Sequence, residues 1–253
     1  MLRKFSKSAL ALILVTTIFA SMASAKDTPE PEVYTPEKYT EYLIQLINDG
    51  DTGATQTLEQ FNSLPTTKQK AFLSFIFSEE YVNAMSEMLS GNETSSYKSS
   101  NQEIPIEIES SSTDQVQANQ LSAGAFAARA NQAASVSRSE KLSIFGVDTS
   151  TITLTVSWEH NGNAAVKPLQ VIQGHLNRNP GFTLSETSNN SPGYISEGYF
   201  NATGTWTMRA TASLGFVSDT LGINIKASTP SNKYYYTTST KKNMNATNGW
   251  VKY

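Results

Sequence analysis

The sequence predicts an α+β protein in which a small N-terminal helical module precedes a C-terminal all-β antiparallel sandwich. Between residues 35 and 91 the apolar residues recur at helical spacing, and between residues 138 and 253 they alternate with polar residues at strand spacing. Turns rich in Gly, Pro and Asn separate the alternating runs, and no helical pattern intervenes between them. A small closed barrel is the alternative for the β part. Of the 253 residues 38% are hydrophobic, which is enough for a packed core and excludes wholesale disorder.

The first 25 residues have the pattern of a signal peptide. Three basic residues within the first seven positions precede an apolar run over 9–20, and Ala23-Ser24-Ala25 matches the pattern that signal peptidase accepts. The apolar run is shorter than the roughly 20 residues of a membrane span. We therefore expect cleavage after Ala25, a disordered leader over 26–34 and a secreted protein without a transmembrane span in its mature chain.

The chain contains no cysteine and only two histidines. These counts exclude a disulfide scaffold, a thiolate zinc site, a thiol nucleophile and a metal site of three histidines. Small secreted modules of eukaryotes usually depend on disulfides, so an exported chain without them is more typical of a bacterial cell envelope. We therefore expect an extracellular location in a bacterial envelope.

Net charge varies along the chain and suggests where the domains divide. Residues 26–90 carry a net charge of −7, residues 91–137 carry −3 and residues 138–253 carry +4. We therefore expect a helical module over 35–91, a Ser/Gln/Ala-rich linker over 92–137 and a β-sandwich domain over 138–253.

Two segments of this linker have patterns of their own. Residues 104–108 fit a short edge strand, because Pro105 lacks the N–H that a central strand needs. Residues 121–134 are rich in Ala and fit a weakly helical spacer. The alternative for that segment is insertion or close packing in a membrane after a conformational change.

Three or four short helices are predicted before residue 91. Thr35 is a suitable N-cap and Pro36 suits the first helical position, while Thr66-Thr67-Lys68-Gln69 fits a capping box and Ser78 an N-cap. Apolar residues at i, i+3, i+4 and i+7 spacing then form the buried stripes. The stripes comprise Tyr39, Tyr42, Leu43, Leu46, Ile47, Leu58, Phe61, Phe72, Phe75, Ile76, Val82, Met85 and Leu89.

About seven strands are predicted after residue 138. Residues 151–158 alternate between Thr or Ser and apolar residues, and Asn161-Gly162 then fits a tight hairpin turn. The further runs cover 166–176, 182–184, 194–200, 205–214, 221–227 and 233–240. Trp158 and Trp206 occupy the apolar phase of their strands, which places both in the predicted core.

No enzymatic motif is present, and we expect a non-enzymatic protein without a catalytic site, cofactor or metal. The chain lacks the sequence patterns of serine hydrolases, zinc metalloproteases, phosphate-binding loops and calcium loops. His160 and His175 are the candidates for acid–base work, or for metal binding with Asp148 or Asp219. Glu186 and Glu197 are the strand carboxylates that a glycosidase pair would use, but their spacing does not place them across one cleft.

A partner-binding surface is better supported, because the predicted β domain is rich in aromatic residues and its last 28 residues gather lysines. Three consecutive tyrosines cannot all be buried in a strand whose side chains alternate, so at least one ring should face outward. The candidate partner-binding residues are Tyr234, Tyr235, Tyr236, Lys241, Lys242 and Trp250.

The lysines favour an anionic partner such as a cell-wall polymer or a membrane surface, and another exported protein is also a candidate. A sequence pI of about 5.5 argues against nucleic acid. The sequence therefore predicts an exported binding protein whose β-sandwich binds a cell-envelope component or a protein partner. The alternatives are a membrane-active toxin or bacteriocin-like pore-forming protein, and an unrecognised hydrolase.

Overall fold

The computed structural model describes residues 34–89, 94–97, 106–118, 131–211, 217–240 and 250–252. Within them four helices precede eleven strands. The helices are α1 (Pro36–Asn48), α2 (Gly53–Ser63), α3 (Thr66–Ile76) and α4 (Glu79–Met88). The strands are β1 (Thr94–Tyr97), β2 (Ile106–Ala118), β3 (Gln132–Ile144), β4 (Val147–His160), β5 (Ala165–Asn177), β6 (Phe182–Asn189), β7 (Tyr194–Ser196), β8 (Tyr199–Ala210), β9 (Ser218–Thr229), β10 (Asn232–Ser239) and β11 (Val251–Lys252). The predicted signal peptide and most of the predicted leader lie outside the described residues.

The strands form two antiparallel sheets. Sheet A has the order β1-β2-β3-β4-β5, and sheet B has the order β11-β10-β9-β8-β6 with β7 paired to β8. The inner faces contact each other: the ring of Trp158 on β4 stacks on Phe200 of β8 with centroids 5.7 Å apart. Its Nε1 donates a hydrogen bond of 3.2 Å to the carbonyl of Ser228. Each sheet keeps two edges, so the predicted α+β fold with a sandwich is confirmed and the closed barrel is not formed.

Strand alternation accounts for the core of the sandwich. On β4 and β8 one face is apolar and buried, while Thr, Ser and Asn occupy most positions of the other face. The core positions include Val136, Ile152, Leu154, Val156, Trp158, Phe200, Trp206, Met208, Leu221, Ile223 and Ile225, each at most 1% exposed. The predicted core positions of Trp158 and Trp206 are confirmed.

The helices follow the predicted boundaries, with one correction. Thr35 caps α1, and its Oγ1 accepts a hydrogen bond of 3.4 Å from the backbone N–H of Lys38. The capping box expected at Thr66 is not formed, because Thr66 is already helical and the extended residue Pro65 takes the N-cap position without a side-chain bond. Proline ahead of the helix thus displaces threonine from the position where its hydroxyl would cap.

Helices α1–α4, which we call the helical cap, pack against one end of the sandwich and share its hydrophobic core. The Tyr39 hydroxyl donates a hydrogen bond of 2.9 Å to the carbonyl of Arg178. The Asn179 amide donates one of 2.8 Å to the carbonyl of Ile76, at the end of α3. The Tyr81 hydroxyl lies 2.7 Å from that of Ser150. The contact between helices and sheets therefore combines apolar packing with buried hydrogen bonds.

The structure assigns strands within the range that composition predicted as a linker. β2 pairs with β3 from Ile108 opposite Ile144 to Ala118 opposite Ala134. The strand pattern of β3 was hidden because Arg138 and Glu140 occupy inward positions, where they are buried and joined by an ion pair of 2.7 Å. The predicted strand at 104–108 is described only from Ile106 onward, where β2 begins. Of the predicted weakly helical spacer, residues 121–130 lie outside the described residues, and residues 132–134 belong to strand β3 rather than to a helix.

A second difference concerns residues 194–200, which were predicted as one strand. They form the hairpin of β7 and β8 instead, and Glu197 and Gly198 make its turn with φ values of 52° and 77°. Positive φ at both central residues is typical of a type I′ turn, and glycine adopts this conformation readily whereas glutamate seldom does. The turn signal was therefore weaker than that of Asn161-Gly162.

Candidate functional site

The three candidate tyrosines lie on β10 and divide between the two faces of sheet B. Tyr234 and Tyr236 share the outer face, because they pair with Lys226 and Asn224 rather than with the inward residues of β9. Tyr235 points inward, and the guanidinium carbon of Arg138 lies 3.4 Å from its ring centre. Trp250 precedes β11 and is 40% exposed. The candidates Lys241 and Lys242 lie outside the described residues.

The outward tyrosines belong to an aromatic cluster on the outer face. Trp250 makes an edge contact with Tyr236, with ring centres 4.6 Å apart at 82°. Tyr234 contacts Tyr199 with ring centres 6.4 Å apart. Burial raises the pKa of the Tyr236 phenol above its ordinary value, and the nearby phenol of Tyr194 adds to the effect. The cluster therefore joins residues from β7, β8 and β10 with the residue that precedes β11.

Lys226 of β9 lies among these rings. Its ammonium nitrogen is 4.3 Å from the ring centre of Tyr199 and 5.8 Å from that of Trp250. A cation over an aromatic face is attracted by the ring quadrupole, so the two rings fix the position of the ammonium group. The rings carry no net charge, and among the described residues no carboxylate forms an ion pair with Lys226.

The backbone register aligns five outer-face residues in a line across sheet B. Tyr234 pairs with Lys252 on one side and Lys226 on the other, Lys226 pairs with Asn201, and Asn201 pairs with Tyr194. We call these residues the cross-strand row. Adjacent strands lie about 4.8 Å apart, so the row is about 19 Å long.

A second line of paired residues lies beside the cross-strand row and stiffens the surface. Tyr236 pairs with Asn224, which in turn pairs with Thr203. The Thr203 hydroxyl donates a hydrogen bond of 2.8 Å to Oδ1 of Asn224, and its backbone N–H donates one of 2.8 Å to Oδ1 of Asn190. Side chains held by such bonds lose little entropy when a ligand binds.

The outer face of sheet B carries positive charge. Over β8, β9 and β10, whose residues are all described, the outward positions hold Lys226 and Arg209 but no acidic residue. Glu197 lies in the turn before β8, and Glu186 lies on the edge strand β6. Asp219, at the start of β9, is 2% exposed and accepts hydrogen bonds from Ser86 and Ser239.

The candidate acid–base residues do not come together in one site. His160 is buried, and its Nδ1 accepts a hydrogen bond of 3.2 Å from the N–H of Gly162, while Asp148 bonds Lys141 and Ser143. Nδ1 of His175 on β5 lies 3.3 Å from Oε1 of Glu186 on β6. The sequence did not predict this pairing between the two sheets. In the described part of the chain no three His, Asp or Glu side chains are placed to hold one metal ion. No helix there is long and apolar enough to span a bilayer.

Of the cross-strand row, only Tyr234 was among the candidates predicted from the sequence, and the other four members were missed: Tyr194, Asn201, Lys226 and Lys252. Their proximity depends on the strand register, which composition does not reveal. The hairpin turn at Glu197-Gly198 was the signal that would have placed Tyr194 opposite Asn201. No protein-family model, curated protein or solved structure matches this chain.

Proposed function

We propose that this chain is an exported, non-enzymatic protein of a bacterial cell envelope whose sheet B binds a carbohydrate of that envelope on its outer face. One observation carries the proposal: Tyr194 and Trp250 are 56% and 40% exposed at either side of a line of polar and cationic residues on one sheet face. The signal-peptide pattern and the absence of cysteine support the location.

Aromatic rings suit carbohydrate binding because they combine a large apolar face with few rotatable bonds. The C–H groups of a sugar ring pack on such a face, while its hydroxyls need amide and hydroxyl partners beside it. The outer face supplies both, with Asn201 and Thr203 between Tyr194 and the other rings. Because these side chains stand on paired strands, the surface is formed before the ligand arrives.

Co-sedimentation of the mature chain with purified bacterial cell walls tests this proposal. We expect Trp250→Ala and Tyr194→Ala each to weaken binding about tenfold, since loss of one stacking aromatic removes the area that a sugar covers. Ile172→Ala is the matched control, because Ile172 is 46% exposed on the edge strand β5 of the other sheet. Binding that resists both aromatic changes, or falls equally with the control, refutes the proposal.

A membrane-active protein is the second candidate, and one observation favours it. Four aliphatic residues of β5 are between 37% and 46% exposed: Val166, Leu169, Ile172 and Leu176. Exposed aliphatic side chains on an edge strand are candidates for contact with a membrane or another protein. Dye release from vesicles that Ile172→Ser and Leu176→Ser abolish would favour this function over carbohydrate binding.

A further inference from the structure

The charges of the cross-strand row specify the ligand of the outer face more closely. We propose that this face binds a linear acidic polysaccharide that runs across the strands and carries one carboxylate on every second sugar. This inference rests on the proposed function and adds the ligand's charge, its direction and its repeat.

The first argument is charge complementarity. Lys226 and Lys252 both lie in the row, and in the described residues no carboxylate pairs with either. An ammonium group that aromatic rings position, without a carboxylate to neutralise it, is a ready partner for an anion. The outward positions of β8–β10 include no acid, so a polyanion would meet no acidic side chain on these three strands.

The second argument is spacing. Lys226 and Lys252 lie on either side of Tyr234, two strands apart, so their backbones are separated by about 10 Å. That separation is comparable with the length of one disaccharide in an extended polysaccharide. A sugar acid at each lysine therefore leaves one uncharged sugar between them, over the ring of Tyr234.

The far half of the row suits the continuation of the same polymer. The amide nitrogen of Asn201 donates a hydrogen bond of 3.0 Å to the carbonyl of Tyr199. Its Oδ1 accepts no hydrogen bond from any described residue, so it can accept one from a sugar hydroxyl. Tyr194 follows as an exposed ring on which a further sugar stacks.

A lipid surface fits this face less well. The exposed large hydrophobic residues of the outer face are the aromatic residues Tyr194 and Trp250, whereas the exposed aliphatic residues of the described chain lie on α1 and β5. Insertion among lipid chains needs a larger continuous apolar area next to the cations than these two rings provide. Rings alternating with cations along a straight line instead match a polymer of sugar rings and acid groups.

The test measures the affinity of the mature chain for hyaluronan oligosaccharides, which carry one carboxylate per disaccharide, and for the same oligosaccharides after chemical reduction of the carboxylates. We expect the acidic form to bind at least tenfold more tightly. Lys226→Gln should weaken that binding about tenfold and Lys252→Gln about threefold, because Lys252 is more exposed to solvent. Lys70→Gln, an exposed change on α3, is the matched control and should leave the affinity unchanged.

The outcomes separate this inference from the proposed function. Equal binding of both forms, with loss on Trp250→Ala but not on Lys226→Gln, would refute the acidic ligand and keep the carbohydrate-binding face. If neither oligosaccharide binds, or if Trp250→Ala and Tyr194→Ala leave the affinity unchanged, the acidic ligand and the carbohydrate-binding face are both refuted. Tighter binding to phosphatidylglycerol vesicles than to the acidic oligosaccharide would refute the polysaccharide in favour of a membrane.

Discussion

An ion pair between Asp51 and Arg178 joins the helical cap to the sandwich, and its loss should destabilise the whole protein. Nε and one terminal nitrogen of Arg178 donate to the two carboxylate oxygens of Asp51 at 3.0 and 2.8 Å. The side chains are 5% and 19% exposed, so water screens the pair only weakly. Asp51 also accepts hydrogen bonds from the N–H groups of Gly53 and Ala54 at the start of α2.

Two substitutions separate these roles. Asp51→Asn keeps an oxygen for the helix start but leaves the buried guanidinium unpaired, which should lower the free energy of unfolding by about 3 kcal/mol. Asp51→Ala also removes the helix-start bonds and should cost about 1 kcal/mol more. Asp49→Asn is the matched control, because Asp49 is exposed two residues away, and its change should stay within about 0.5 kcal/mol.

The pH dependence of the same variants gives an independent check. Burial alone would raise the pKa of Asp51, but the hydrogen bonds and charge of Arg178 outweigh it and hold the pKa below the ordinary value. A carboxyl whose pKa is lowered on folding stabilises the fold above its unfolded pKa of about 3.9, and this stabilisation is lost as the pH falls through the folded value. Urea unfolding should therefore show a large difference between wild type and Asp51→Asn at pH 7 and a much smaller one near pH 2.5. A difference that does not change with pH would refute the reasoning.

Three further predictions concern single positions of the sandwich. Trp158→Ala should lower the free energy of unfolding by about 3–5 kcal/mol, because the ring is fully buried, whereas Trp158→Phe should cost clearly less; an unchanged melting temperature would contradict the inward position. Gly181→Ala should lower the free energy of unfolding by about 1–3 kcal/mol, since the new Cβ would lie 2.8 Å from the ring of Phe77. Gly174→Ala is the control in the same denaturation assay, because the nearest neighbour of its new Cβ would be 4.0 Å away. Burial lowers the pKa of His160, so the stability of the wild type should fall as the pH drops below about 6.5, where the unfolded chain binds the proton more readily. Calorimetry should show a smaller fall for His160→Gln. Equal falls in both proteins would contradict the role of His160.

The fold class followed from the sequence because most elements obey one period throughout. In β4 the apolar residues Ile152, Leu154 and Val156 alternate with polar residues without interruption. In α1 the capping threonine, the proline at the first position and the apolar stripe all indicate a helix. Residues 106–118 and 132–137 of the predicted linker belong to strands β2 and β3, and directly after this range β3 places a charged pair inside the sandwich. Arg138 and Glu140 satisfy each other, and the ring of Tyr235 covers Arg138, so the strand keeps its period while losing its apolar signature.

The candidate site was predictable only in part, for a different reason. Alternation is local, so it correctly placed at least one of the three β10 tyrosines on the outer face. The cross-strand row instead depends on which residue of each strand lies opposite which residue of the next, and turn geometry sets that register. The row includes Tyr194 because β7 folds back on β8 at a two-residue turn that contains a glutamate.

A deletion of residues 34–89 tests whether the helical cap and the sandwich are one folding unit. The ring of Tyr81 stacks on that of Phe182 with ring centres 5.5 Å apart, so the deletion exposes a core ring. The Asn179 amide donates a hydrogen bond to the carbonyl of Ile76, and the Ser86 hydroxyl donates one to the carboxylate of Asp219. The deletion therefore also leaves the buried polar groups of Asn179 and Asp219 without these partners. Each unpaired group costs about 1–3 kcal/mol and each exposed large side chain about 1.5–3 kcal/mol. Together with the unpaired guanidinium of Arg178 these losses approach the 5–15 kcal/mol that stabilises a typical domain. We therefore expect the variant that lacks residues 34–89 to lack a cooperative thermal transition.

A protease site inserted near residue 91 of the full mature chain provides the control, because cutting after folding removes the covalent link but none of the contacts. The two fragments should then elute together in gel filtration and separate only in denaturant, since the contacts that hold the helical cap are buried ones. The charge division between residues 26–90, at −7, and residues 138–253, at +4, adds an attraction that salt weakens without releasing the fragments. Two fragments that separate in buffer, each with its own cooperative melting transition, would instead establish that the helical cap and the sandwich are independent domains.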